Sequence, residues 1–102
     1  DGGAGTVHAN TAGDVPARLE ALAAPAGLDR AALHTQLAGA VRVVLHVRRV
    51  GRQRTLAEIA VLERGVDGWV RAEPAVVDGR PVEPGGARLA ALLDRYGQAR
   101  PW

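Results

Sequence analysis

The hydrophobic period changes at Val41, and that change limits the folds open to this chain more than any other feature. Upstream, apolar residues recur at helical spacing. From Val41 onward Val41, Val43, Leu45 and Val47 face one side of an extended segment, while Arg42, His46 and Arg48 face the other. Alternation of this kind marks a β-strand. Gly51 supplies a tight turn, and a second strand runs from about Gln53 to Leu62, so the segment reads as a β-hairpin. The second strand is apolar on both faces through Leu56, Ile59, Val61 and Leu62, which predicts deeper burial than its partner has.

Two helices precede the hairpin. Asp14 is the expected N-cap of the first, with Pro16 in its first turn, where a missing N–H costs nothing. Val15, Leu19, Leu22, Ala23 and Ala26 make its apolar stripe, and Pro25 and Gly27 close it. Asp29 caps the second helix, and Leu28 and Leu33 stand at the two positions of a hydrophobic staple. Leu33, Leu37 and Val41 extend that buried face, and Gly39 marks its end. Before both helices, Gly5 to Ala9 is read as a short strand. After the hairpin, the Asp67-Gly68 turn leads into a strand from Trp69 to Val77, with Pro74 assigning it to an edge. Asp78-Gly79 is a two-residue turn into Arg80-Pro81-Val82, and Pro84-Gly85-Gly86 is expected to break the chain. Leu89, Leu92, Leu93 and Tyr96 then form one face of a last helix stopped by Gly97. The order is mixed α/β: strand, two helices, β-hairpin, short edge strands and C-terminal helix.

Composition removes whole chemistries. All 13 basic residues are arginine, Ala fills 20 of 102 positions, and Lys, Ser, Cys, Met and Phe are absent. Without Lys there is no phosphate-gripping P-loop lysine and no Schiff base. Without Ser or Cys there is no such nucleophile, no disulfide and no thiolate metal site. Thr, Asp, Glu, His and Tyr are the reactive side chains that remain. The pI of about 10.4 arises from arginines set against 11 acids, and a net charge of +2 is no argument for nucleic acid. No apolar run approaches the roughly 18 residues of a membrane span. The first residue is Asp1 rather than Met, which leads us to expect a piece of something longer.

The densest polar cluster is Thr6-Val7-His8-Ala9-Asn10-Thr11, followed by Asp14 and Arg18. In a strand Thr6, His8 and Asn10 share one side. Placed beside a helix N-terminus, they suit a phosphate-facing position in an α/β sheet. Spacing alone favours the plainer reading, in which Thr6 and Asn10 satisfy loop backbone and His8 is half-buried. The other histidines give no metal-ligand spacing: His34 reads as a helix-flank residue and His46 as solvated. Trp69 is read as the anchor of a small satellite core. Arg48, Arg49, Arg52 and Arg54 crowd the hairpin turn without an interleaved aromatic residue, so no base-stacking platform is formed.

These residues carry a resemblance. Gly5-Thr6-Val7-His8-Ala9-Asn10-Thr11, then Asp14, then Arg18-Leu19-Glu20-Ala21-Leu22, resembles the histidine box of the type II/IV secretion ATPases. The CpaF-like branch, which drives Tad (Flp) pilus assembly and conjugal transfer, is the nearest in pattern. Val43-Val44-Leu45-His46-Val47-Arg48-Arg49, the glycine turn, Arg52-Gln53-Arg54 and Glu58-Ile59 resemble the same family, so the likeness covers roughly residues 2 to 64. It implies a RecA-like motor domain in a hexameric ring that hydrolyses ATP with Mg²⁺ to drive an inner-membrane platform. Such a motor is cytoplasmic and sits peripherally at the inner face of the membrane. In that family the histidine lies near the γ-phosphate and couples hydrolysis to motion; here the role falls on His8, with Thr6 and Asn10 as neighbours. Arg18 then serves a subunit interface or an acidic partner, or is a solvated helix-face arginine. The family's P-loop, acidic box and Walker B segment lie upstream of the histidine box and have no counterpart here. Asp1-Gly2-Gly3-Ala4-Gly5 lacks the Gly-Lys-Ser/Thr ending of a phosphate cradle.

The resemblance therefore implies residues 1–66 as the C-terminal portion of a RecA-like core and residues 67–102 as a hairpin-and-helix appendage. The isolated chain is expected to bind neither ATP nor Mg²⁺. Two rivals stand beside this reading: a non-enzymatic basic module binding nucleic acid or an acidic partner through the arginine hairpin, and an inactive α/β remnant.

Overall fold

The computed structural model describes residues 5–102. The glycine-rich Asp1–Ala4 approach lies outside them. A 3-10 turn over Ala12–Asp14 leads into α1 (Val15–Ala23), and α2 (Arg30–Ala40) follows. Four strands come next, β1 (Val43–Val50), β2 (Gln53–Arg64), β3 (Val70–Val77) and β4 (Arg80–Pro81), and then α3 (Gly85–Arg95). The strands form one antiparallel sheet in the order β1-β2-β3-β4. The fold is thus mixed α/β, a four-stranded antiparallel sheet with three helices.

The hairpin forms with Val43 opposite Val61 and Val50 opposite Gln53. β2 is the central strand and carries the run of buried residues from Ala57 to Leu62, Glu58 alone being half-buried. Apolar side chains on both faces of one strand need cover on both sides, and two clusters supply it. On one side Ile59, Val61, Ala75, Val76 and Leu89 pack together, with Val43, Leu93 and Trp102 at the margin. On the other, Leu33 and Leu37 of α2 pack on Leu62 and Val70, with Leu19 of α1 and Leu28 alongside. The Asp29 carboxylate accepts the Ala32 N–H at 2.8 Å, so α2 starts on the cap its sequence specifies. Asp78 and Gly79, at φ 49° and 80°, make the two-residue turn between β3 and β4.

Four expectations are corrected. Gly5 to Ala9 is not a strand: these residues have no regular secondary structure, because no described segment offers them a ladder. Asp14 precedes α1, but its backbone is already helical and its side chain makes no cap hydrogen bond, the preceding 3-10 turn having begun the coil. Leu45 and Val47, on the intended inner face of β1, are 61% and 52% exposed. α3 covers the sheet at Ile59 and Val61 but not at the hairpin's far end, where a register shift follows His46. Pro84-Gly85-Gly86 does not break the chain; Gly85 and Gly86 open α3 and are buried. A Cβ on Gly85 would overlap the Pro74 carbonyl oxygen, so the missing side chain lets helix and strand meet.

Candidate functional site

Three of the four residues singled out around the histidine box come together. His8, Asn10 and Arg18 line one open hollow of about 590 Å³, together with Asp14, Ala9, Ala17 and Ala21. Thr6 is exposed but does not line it. Exposure alternates along the segment even without strand pairing: Thr6, His8 and Asn10 are exposed, while Val7 and Ala9 are half-buried. His8 and Asn10 thus reach the hollow from the approach segment, and Arg18 reaches it from α1. The first turn of α1 lies beside them, but it continues the Ala12–Asp14 turn: the Val15 N–H is bonded to the Ala12 carbonyl and Pro16 has no N–H, so neither is free for an anion. The Asp14 carboxylate works against an anion at the same hollow.

Glu58 ties this segment to the body of the protein, beside the burial of Ala12, Val15 and Pro16. Its Oε1 accepts the Ala12 N–H at 2.9 Å across 46 residues of sequence, and Ala12 is 1% exposed. Glu58 is opposite His46 of β1, so its carboxylate links the hairpin to the His8 segment by a hydrogen bond. The signal for it was present in the sequence, since an acid inside an apolar strand must find a donor.

His34 is not the flank residue that spacing suggested. It is 2% exposed. Its Nδ1 accepts the Val70 N–H at 2.7 Å, which puts the ring proton of the neutral form on Nε2. Nε2 stands 3.3 Å from Glu20 Oε1 without hydrogen-bond geometry. Glu20 also pairs with Arg30, and the Arg30 guanidinium lies 4.2 Å from the centre of the Trp69 ring. Trp69 meets the His34 ring edge-to-face at 5.0 Å. Trp69 therefore closes a polar junction among α1, α2 and the start of β3, where a satellite core was expected. Nothing about it resembles a metal site, and among the described residues no three His, Cys, Asp or Glu side chains are grouped to hold an ion.

At the hairpin turn Arg48 is engaged, with Nη2 donating to Asp78 Oδ1 at 3.3 Å. Arg49 is directly opposite Arg54, a like-charge cross-strand pair. No helix among the described residues is long and apolar enough to cross a membrane.

Comparison with known proteins gives two relatives. Proteins from two strains of Mycobacterium tuberculosis, each carrying the provisional name of conjugal transfer protein, are 58% identical to this chain over 95 residues. The alignment covers 91% of this chain and 26% of each relative, so the chain spans about a quarter of their length. No protein-family profile matches. No solved structure matches either.

Proposed function

We propose that this chain is part of an ATP-driven motor serving conjugal transfer or the related secretion and pilus-assembly machines, in which His8 senses the γ-phosphate of bound ATP. The observation that carries the reading is the shared hollow, in which His8, Asn10 and Arg18 converge beside the first turn of a helix. The likeness to proteins bearing the conjugal-transfer name supports the conjugal-transfer part of the reading. In this reading His8 faces the nucleotide, Asn10 shapes the segment around it and Arg18 meets an acid or phosphate of the assembled hexamer. Thr6 flanks the box. The box and hairpin, residues 1–66, belong to the RecA-like core, and residues 67–102 are its appendage. This chain has no lysine, so the lysine that grips the phosphates, and the Mg²⁺ ligands, come from elsewhere in the full-length motor, at the inner face of the membrane. Replacing His8 by Ala in the full-length protein tests the assignment: ATP turnover falls while nucleotide affinity holds.

One observation favours a second reading. Arg49 and Arg54 oppose each other across the hairpin, and like charges so placed are destabilising unless something neutralises them. A nucleic-acid backbone or an acidic partner would do so. Binding to random duplex DNA should then fall steeply with salt. Removing both arginines should lower the slope of log affinity against log salt by about 2. Absence of binding at low salt contradicts this second reading.

A further inference from the structure

A second hollow, of about 450 Å³, lies where β2 ends beside α2 and α3. No residue lines both hollows. α3 presents Arg88, Ala91, Leu92 and Arg95 to it, a spacing that is one face of a helix. Ala38 of α2 and Ala91 of α3 are short, and their small side chains leave the volume open. Arg42 and Arg64 complete a lining that includes four arginine residues, with Glu63 its single acid.

These arginines are unequally engaged. Arg64 is fixed, with Nε donating to the Gly68 carbonyl at 2.9 Å and Nη2 to Thr35 Oγ1 at 3.2 Å. Arg88 Nε stands 3.8 Å from Glu63 Oε1. Arg42 and Arg95 have no ion-pair or hydrogen-bond partner among the described residues. Four arginines border the cleft against one acid, and Arg42 and Arg95 are left for a ligand to neutralise.

We propose that this cleft binds a phosphate monoester or pyrophosphate group. A carboxylate occupies one guanidinium fork, whereas a terminal phosphate brings a charge near −2 and three acceptor oxygens, enough to engage several forks at once. A backbone phosphodiester brings one charge and two free oxygens, a poorer match to a lining with several arginines. The site is a binding site without chemistry of its own, for no nucleophile or acid–base pair faces it beyond Glu63. It stands whether or not His8 meets a nucleotide.

Calorimetric titration of the full chain with inorganic pyrophosphate at low salt tests the proposal. Saturable one-to-one binding is expected. Ala91→Leu fills the cleft and leaves every charge in place, so it should weaken binding at least roughly tenfold, as should each of Arg42→Gln and Arg95→Gln. Arg80→Gln, exposed in β4 and away from the cleft, should leave it unchanged. If Ala91→Leu fails to fold by circular dichroism, the arginine variants decide. Vesicles containing phosphatidic acid, with phosphatidylcholine vesicles as the blank, separate the sources. Retention that Ala91→Leu abolishes assigns a lipid headgroup, and pyrophosphate binding without retention assigns a free phosphate compound. Pyrophosphate binding insensitive to the cleft variants, no saturation, or capture of duplex DNA in place of pyrophosphate would overturn the proposal.

Discussion

Glu58 is the acid within the otherwise apolar run of β2 from Ala57 to Leu62, and its one described hydrogen bond reaches back to Ala12. Replacing it with Ala leaves the Ala12 N–H buried without an acceptor, at a cost of about 1–3 kcal/mol. Amide exchange at Ala12 should speed up accordingly; unchanged protection would mean that something else holds the segment. Asp67 behaves differently because it is on the surface. Its side-chain hydrogen bond with Arg71, followed by the Trp69 N–H, lowers the carboxyl from its ordinary 3.8 to about 2. The folded value lies below the unfolded one, so this pair's contribution is complete above pH 3.8 and fades as pH falls towards 2. Carbon-detected NMR should find the Asp67 midpoint near 2, and Arg71→Gln should return it towards 3.8. A midpoint that ignores Arg71→Gln would refute the assignment.

At the scale of elements, α3 depends on a close approach that sequence periodicity does not express. Gly85→Ala would drive a methyl into the Pro74 carbonyl and should cost about 1–3 kcal/mol or more, read as a lowered Tm. Gly39→Ala, in α2, meets nothing within 4 Å and should stabilise by roughly 0.5–1 kcal/mol. Equal effects from the two would refute this packing account. The same contrast explains what the sequence made legible. The Asp29 cap, the Gln53-to-Leu62 strand and the Asp78-Gly79 turn are local, each set by neighbouring side chains and backbone preference, and each could be read directly. Gly85 looks like a breaker in the sequence because its purpose is a contact with Pro74, eleven residues earlier in the chain. Leu45 and Val47 have the alternation of a buried face, yet burial depends on whether a helix reaches them. His34 looked like a flank residue because its partners, Val70 and Glu20, come from other elements.

For the whole molecule, the sheet does two things. One side of β2 is closed by α3, and the other receives α2, so the strand's two apolar faces are both used. Through Glu58 the same strand steadies the segment that carries His8. Sequence motif brought His8, Asn10 and Arg18 to notice, and the fold gathers them around one hollow. Thr6 stays outside it, although it is exposed in the same alternation as His8 and Asn10. The arginine-lined cleft gave no sequence signal, since Arg42, Arg64, Arg88 and Arg95 are spread along the chain and meet only after folding. The central claim is that His8 reads the γ-phosphate in a larger motor. Steady-state ATP turnover of the full-length protein carrying His8→Ala, measured beside its nucleotide affinity, tests it most directly. The account predicts that kcat falls by about a hundredfold while affinity changes little; turnover equal to that of the unaltered protein would contradict it.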